Sequence, residues 1–171
     1  MICGPVRLNF PPMNKYLNLA IACLGLAAPL SAQEKKPSGP ATEPEYFPMP
    51  SMGGSPLPFS EAVKIGDTLY VSGQIGNAPG TQTLAPGGIV PEARRTLENI
   101  KAILERHGSS LDHAVKCTVF LADIKEWASF NEVYREFFKK NLPARSALGA
   151  NGLALGARVE VECIAFVPAK K

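Results

Sequence analysis

Residues 142–163 read LPARSALGANGLALGARVEVEC, and they decide how the chain ends. From Val159 onward the side chains alternate: Val159, Val161, Cys163 and Ala165 share one face, while Glu160, Glu162, Ile164 and Phe166 share the other. A period of two belongs to a strand with one buried face, so a strand is predicted over 158–167. Asn151-Gly152 supplies a turn before it, and residues 146–150 the preceding strand. Arg145 lies just behind Pro143, and Glu160 stands fifteen residues further on. A guanidinium fork facing a strand carboxylate suits a small carboxylated substrate and a water aimed at it, because arginine grips planar carboxylates bidentately where lysine does not. The pattern alone also allows a solvated acidic face for Glu160 and Glu162, and a surface or structural ion pair for Arg145.

Upstream, residues 62–65 and 68–75 read as two strands joined by Gly66-Asp67, a hairpin signal. A loop rich in Gly and Pro, 76–88, leads to Pro91, which suits the first turn of a helix because its missing N–H would be unpaired there. Ala93, Leu97, Ile100 and Leu104 then recur on one face of an amphipathic helix that ends at Gly108. Residues 115–121 form the next predicted strand. Asp123 with Glu126 resembles a capping box, and Trp127, Phe130, Tyr134 and Phe137 make the apolar stripe of a second helix. The order β-β-α-β-α-β-β, without internal repeat, predicts an α+β two-layer fold. Two helices cover only one face of such a sheet, so the other needs cover, which oligomerisation supplies.

The chain has 171 residues, of which 46% are hydrophobic, enough for one domain. Residues 1–32 read as a secretory signal peptide: Lys15, then an apolar run from Leu17 to Leu30 broken only by Asn18, then Ser31-Ala32. Met13 offers a second start. The run falls short of the about 20 apolar residues a membrane span needs, so no stable membrane anchor is expected and the protein is expected to be exported, periplasmic or secreted. Residues 33–55, rich in Pro, Ser and charge, read as a disordered or extended arm. The folded domain is expected over 56–168, with 169–171 a tail.

Removing residues 1–32 takes away Arg7 and Lys15 and no acid, so the net charge falls from +3 to +1. A nucleic-acid partner is not expected from so neutral a domain. Cys3 and Cys23 leave with the leader. Cys117 and Cys163 remain on predicted strands and are expected as buried free thiols, with pairing in an oxidising compartment dependent on their Cα separation. The two histidines, His107 and His113, and the lack of CxxC or HxxxH spacing argue against a metal site. His107 reads as a cation at a helix C-terminus. No phosphate loop and no G-x-S-x-G elbow is present, so neither cofactor nor acyl-enzyme chemistry is expected.

Several segments together, PFSEAV (58–63), VSGQIG (71–76), LENIK (97–101), FNEVY (130–134), PARS (143–146) and VEVE (159–162), resemble the RidA/YjgF family of reactive-intermediate enamine/imine deaminases. The likeness covers about residues 56–168. It implies a chorismate-mutase-like α+β protomer in a homotrimer, with clefts between subunits. On that resemblance Arg145 clasps the substrate carboxylate and Glu160 orients or deprotonates the attacking water. Ser72 and the Gly73 backbone line the pocket, Asn131 helps order the cleft, and the main-chain N–H of Ala147 is a donor. Phe59 stands where archetypal members have tyrosine, keeping an aromatic wall without its hydroxyl. Ala147 stands where many members have cysteine, and the stretch 149–156 is unusually small and apolar.

The expected function is therefore hydrolytic deamination of 2-enamino or 2-imino acids, releasing ammonia and a 2-oxo acid. Imines hydrolyse unaided in water, so the site need supply mainly orientation and proton transfer, with no covalent intermediate. The expected partners are small 2-imino, 2-enamino or 2-oxo carboxylates and other copies of the chain. The alternative is an exported, non-catalytic trimer that binds small carboxylates or acts as a holdase. An RNA-directed activity is disfavoured by the near-neutral charge.

Overall fold

The structure, a computed structural model, describes residues 43–51, 54 and 56–169. The expected leader and most of the arm lie outside the described residues. Six strands form one mixed sheet: β1 (Glu45–Pro48), β2 (Ser60–Ile65), β3 (Thr68–Ile75), β4 (Ala114–Leu121), β5 (Ala144–Gly149) and β6 (Val159–Phe166). Their order across the sheet is β1-β2-β3-β6-β4-β5. Two helices, α1 (Ile89–Arg106) and α2 (Trp127–Phe137), complete the fold. All neighbours are antiparallel except β4 and β5, which α2 links as a crossover and which therefore run parallel.

The hydrophobic periods explain which face is covered. Ala93, Leu97, Ile100 and Leu104 of α1 are fully buried, as are Val159 and Val161 of β6 and Cys117 and Val119 of β4. Helix α1 lies across β3 and β6 and packs against α2. The opposite face keeps Tyr70, Leu148 and Phe166 exposed. Such a face requires something to cover it.

Four expectations are corrected. The sheet begins earlier than residue 56, because Tyr46 and Phe47 pair with Val63 and Ala62 and add β1 as an edge strand. Strand β5 begins at Ala144, so Arg145 belongs to the strand and not to the loop before it. The capping box does not close: Asp123 accepts from the N–H of Lys125 at 2.9 Å, while Glu126 turns away to the guanidinium of Arg158. On α2 the buried residues are Phe130, Asn131, Val133 and Tyr134, whereas Trp127 is half exposed and Phe137 only partly buried.

Candidate active site

The β-sheet register separates the two residues that the sequence suggested would face each other. Arg145 pairs with Cys117, and Cys117 with Cys163, all on the helix-covered face. Glu160 pairs with Phe120, and Phe120 with Leu148, on the open face. Directly opposed residues share a face, so within one protomer Arg145 and Glu160 point to opposite sides of the sheet. The expected fork facing a carboxylate is not formed by a single chain.

Around Arg145, α2 supplies an aromatic cradle. Its guanidinium carbon lies 4.6 Å from the ring centre of Tyr134 and 5.9 Å from those of Trp127 and Phe130. Trp127, Phe130, Asn131 and Tyr134 fall at i, i+3, i+4 and i+7, one stripe of the helix. This is why a run that looks like plain core packing also holds a cation by its π faces. Among the described residues Arg145 has no carboxylate partner. Asn131 is buried, and its amide oxygen lacks a hydrogen-bond partner among the described residues, an unsatisfied state that calls for an explanation.

Beneath this cradle the Cys117 and Cys163 thiols are buried and free, with sulfurs 2.7 Å apart. Their hydrogen bond holds Cys117 below the usual thiol range and pushes Cys163 above it, where burial adds to the rise. Burial also pushes the Tyr134 phenol up, and its hydroxyl lies beside Cys117 without reaching hydrogen-bond geometry.

The edge position of β5 matters as well. Ala150 N–H donates to the Leu121 carbonyl at 2.8 Å. Bonding alternates along a parallel ladder, so Ser146 and Leu148 also bond toward β4. The main-chain N–H groups of Arg145, Ala147 and Gly149 then point out from the free edge. By that alternation the Ala147 N–H, two residues from Arg145, is directed away from β4 at the free edge.

The second half of the site lies at the far end of β3. The Glu160 carboxylate sits directly over Gly73: a Cβ there would lie 2.0 Å from Glu160 Oε1. Only glycine lets the carboxylate settle in this place. Glu160 is half-buried, and burial together with the Glu162 charge raises its pKa above the ordinary glutamate range. It has no hydrogen-bond partner among the described residues. Phe59 and Gly73 line the same cavity of about 590 Å³. Ser72, expected in the wall, is not among the residues that line this cavity; its hydroxyl is engaged with the neighbouring strand, donating to the Ser60 carbonyl at 2.6 Å.

Two acids that sequence reading did not single out hold this half together. Glu92 is buried in the first turn of α1. Its Oε1 accepts from the N–H groups of Arg158 and Val159, at 2.6 and 3.4 Å, where β6 starts. Gly76 leaves room for it, since a Cβ there would meet Glu92 Cγ at 2.3 Å. Glu61, also buried, takes Arg106 Nε at 3.2 Å and His107 Nε2 at 2.9 Å. His107 therefore faces inward, stacked on Phe47 with ring centres 4.0 Å apart, instead of serving as an exposed cation at the helix end.

A family model described as endoribonuclease L-PSP matches residues 54–167. The chain belongs to the RidA/YjgF family. A mouse protein named 2-iminobutanoate/2-iminopropanoate deaminase is 44% identical over 108 residues, spanning 63% of this chain and 80% of the mouse protein. The human protein of the same name is 43% identical over 109 residues, 64% and 80% of the two chains. Among solved structures, RidA from an Antarctic Psychrobacter superposes with a TM-score of 0.65 at 36% identity, over 72% of this chain and 99% of that one. E. coli TdcF with bound serine gives 0.65 at 32% identity, over 72% and 100%. The RidA fold thus accounts for the mixed sheet and the two helices on one face.

Proposed function

We propose that this RidA protein is a hydrolytic deaminase of 2-imino and 2-enamino acids, working in clefts between neighbouring copies of the chain. The carrying observation is the division of the site into two unfinished halves. One half offers a cation without a carboxylate partner, an edge N–H and an unsatisfied amide oxygen. The other offers a half-buried carboxylate over a glycine. Neither half is a site alone, and the uncovered sheet face calls for a neighbour. A homotrimer, as the family resemblance suggests, closes the ring with three such clefts. Similarity to deaminases at 43–45% identity supports the chemistry.

In that cleft Arg145 of one copy and the Ala147 N–H hold the substrate carboxylate. Glu160 of the next copy accepts a proton from water as the oxygen bonds to the imine carbon. That proton passes to nitrogen to give the carbinolamine; Glu160 then moves the carbinolamine's hydroxyl proton to the amino nitrogen as the C–N bond breaks and the C=O bond forms, so that ammonia leaves with a 2-oxo acid. A raised pKa brings the Glu160 base closer to the working pH, which is where general-base help is greatest. Freshly generated 2-iminobutanoate tests this: ammonia release must exceed the uncatalysed rate, and equality of the two rates would leave only the carboxylate-binding alternative. Export is part of the same proposal, supported by the leader-like residues 1–32. N-terminal sequencing of the native protein is expected to begin within about two residues of Gln33, and an intact Met1 or Met13 would refute export by that signal.

A further inference from the structure

Leu155 is the one non-glycine residue with positive φ among the described residues, at φ 57° and ψ 13°. A side chain other than glycine's is strained in the left-handed region, and such strain tends to persist where a site uses it. The Leu155 side chain is half exposed and lines the same cavity as Glu160 and Gly73.

Leu57, Phe59, Ile75 and Ile103 also line that cavity. Its 590 Å³ is room for on the order of 20 waters at roughly 30 Å³ each. The polar side chains around it are largely committed elsewhere. Gln74 Nε2 donates to the carbonyls of Ser72 and Gly73. Asn99 Nδ2 donates to those of Ile75 and Asn77. Glu61 is tied to Arg106 and His107. With the substrate carboxylate and imine held at the cleft, only its side chain is left to enter, and an apolar one meets the unsatisfied part of the wall.

We infer that Leu155 and this cavity select 2-imino acids with a bulky apolar side chain, of the leucine, methionine or phenylalanine kind, over 2-iminopropanoate and 2-iminobutanoate; the inference rests on the deaminase reading. A methyl or ethyl group leaves most of the apolar wall against water. Each additional buried methylene is worth about fourfold in affinity. Leu155 is the specificity residue because it is held, against its backbone preference, in the wall of the cavity that Glu160 also lines.

The experiment makes imines in situ with an amino-acid oxidase and lets hydrolysis compete with trapping by semicarbazide. Loss of semicarbazone reports the catalysed rate. The leucine-derived imine is expected to show at least about tenfold higher kcat/KM than the alanine-derived one, and Leu155→Gly to shrink that ratio at least about threefold. Glycine adopts the φ of this position freely, so Tm should not fall, which separates loss of selectivity from loss of fold. A wild-type ratio near or below one, or a ratio unchanged in Leu155→Gly, would overturn the inference. Calorimetric Kd values for 4-methyl-2-oxopentanoate and pyruvate, on both proteins, provide the second arm. If neither imine is turned over, the deaminase reading falls, while the Kd ratio still supports selectivity if it favours the larger acid and overturns it if it does not.

Discussion

At the scale of single residues, the proposed chemistry rests on charges left without ordinary partners among the described residues. Arg145 is held by rings and not by a carboxylate, so Arg145→Ala should cost only about 1 kcal/mol of stability while abolishing turnover and 2-oxo acid binding. Arg145→Lys should restore little, since an ammonium cannot reproduce the fork; steady-state kinetics and a denaturant midpoint separate these effects. Glu160 gives a pH prediction. Its pKa is raised in the fold, first by burial and then by Glu162, so the fold favours the protonated form. That contribution to stability is present below the ordinary glutamate range and is lost as pH rises through the raised value. The proposed general-base role needs the opposite form, so the acidic limb of kcat/KM should lie above the ordinary glutamate range. Glu162→Gln removes the like charge and should move the limb to lower pH, without bringing it fully down, because burial remains. An acidic limb that does not move would mean that Glu160 is not the titrating base.

At the scale of elements, the start of β6 is what places Glu160, and Glu92 of α1 fixes that start. Glu92→Ala leaves the Arg158 and Val159 N–H groups without their acceptor, which should cost about 2–4 kcal/mol and lower activity with it. Glu92→Gln keeps an acceptor oxygen and should lose about 1 kcal/mol; urea midpoints of the two variants make the comparison. The contrast shows what periodicity can and cannot reveal. The stripes of α1 and β6 were readable because each apolar residue repeats with its element. Glu92 was not, because an acid in a helix's first turn ordinarily sits in solvent near the macrodipole, and its burial depends on Gly76 far from it in space until the chain folds. Strand β1 escaped notice for a related reason: Glu45–Pro48 is a short strand in a proline-rich stretch, and only pairing with β2 makes it one. Trp127 and Tyr134 were legible as apolar residues but not as a cradle, since nothing in their spacing tells which strand residue will lie across them.

At the scale of the whole molecule, the sequence offers Arg145 and Glu160 as candidates but not the way they meet. Facing Arg145 with Glu160 required knowing which side of the sheet each occupies, and a start of β5 at Ala144 with the parallel pairing to β4 sets them apart. The proposed ring reunites them across a boundary, Arg145 from one copy and Glu160 from the next. Light scattering at micromolar concentration should therefore give a trimer, and a stable monomer would leave both half-sites unfinished. The sharper test mixes two inactive proteins. Arg145→Ala keeps Glu160, and Glu160→Gln keeps Arg145. In a closed ring assembled at random from equal amounts, each cleft draws one residue from each of two neighbours, so about a quarter of the clefts receive both intact residues. Co-refolded mixtures should recover about that fraction of wild-type activity while either protein refolded alone stays inactive. If instead both residues acted within one chain, every cleft in every mixture would carry one defect, and mixing would recover nothing.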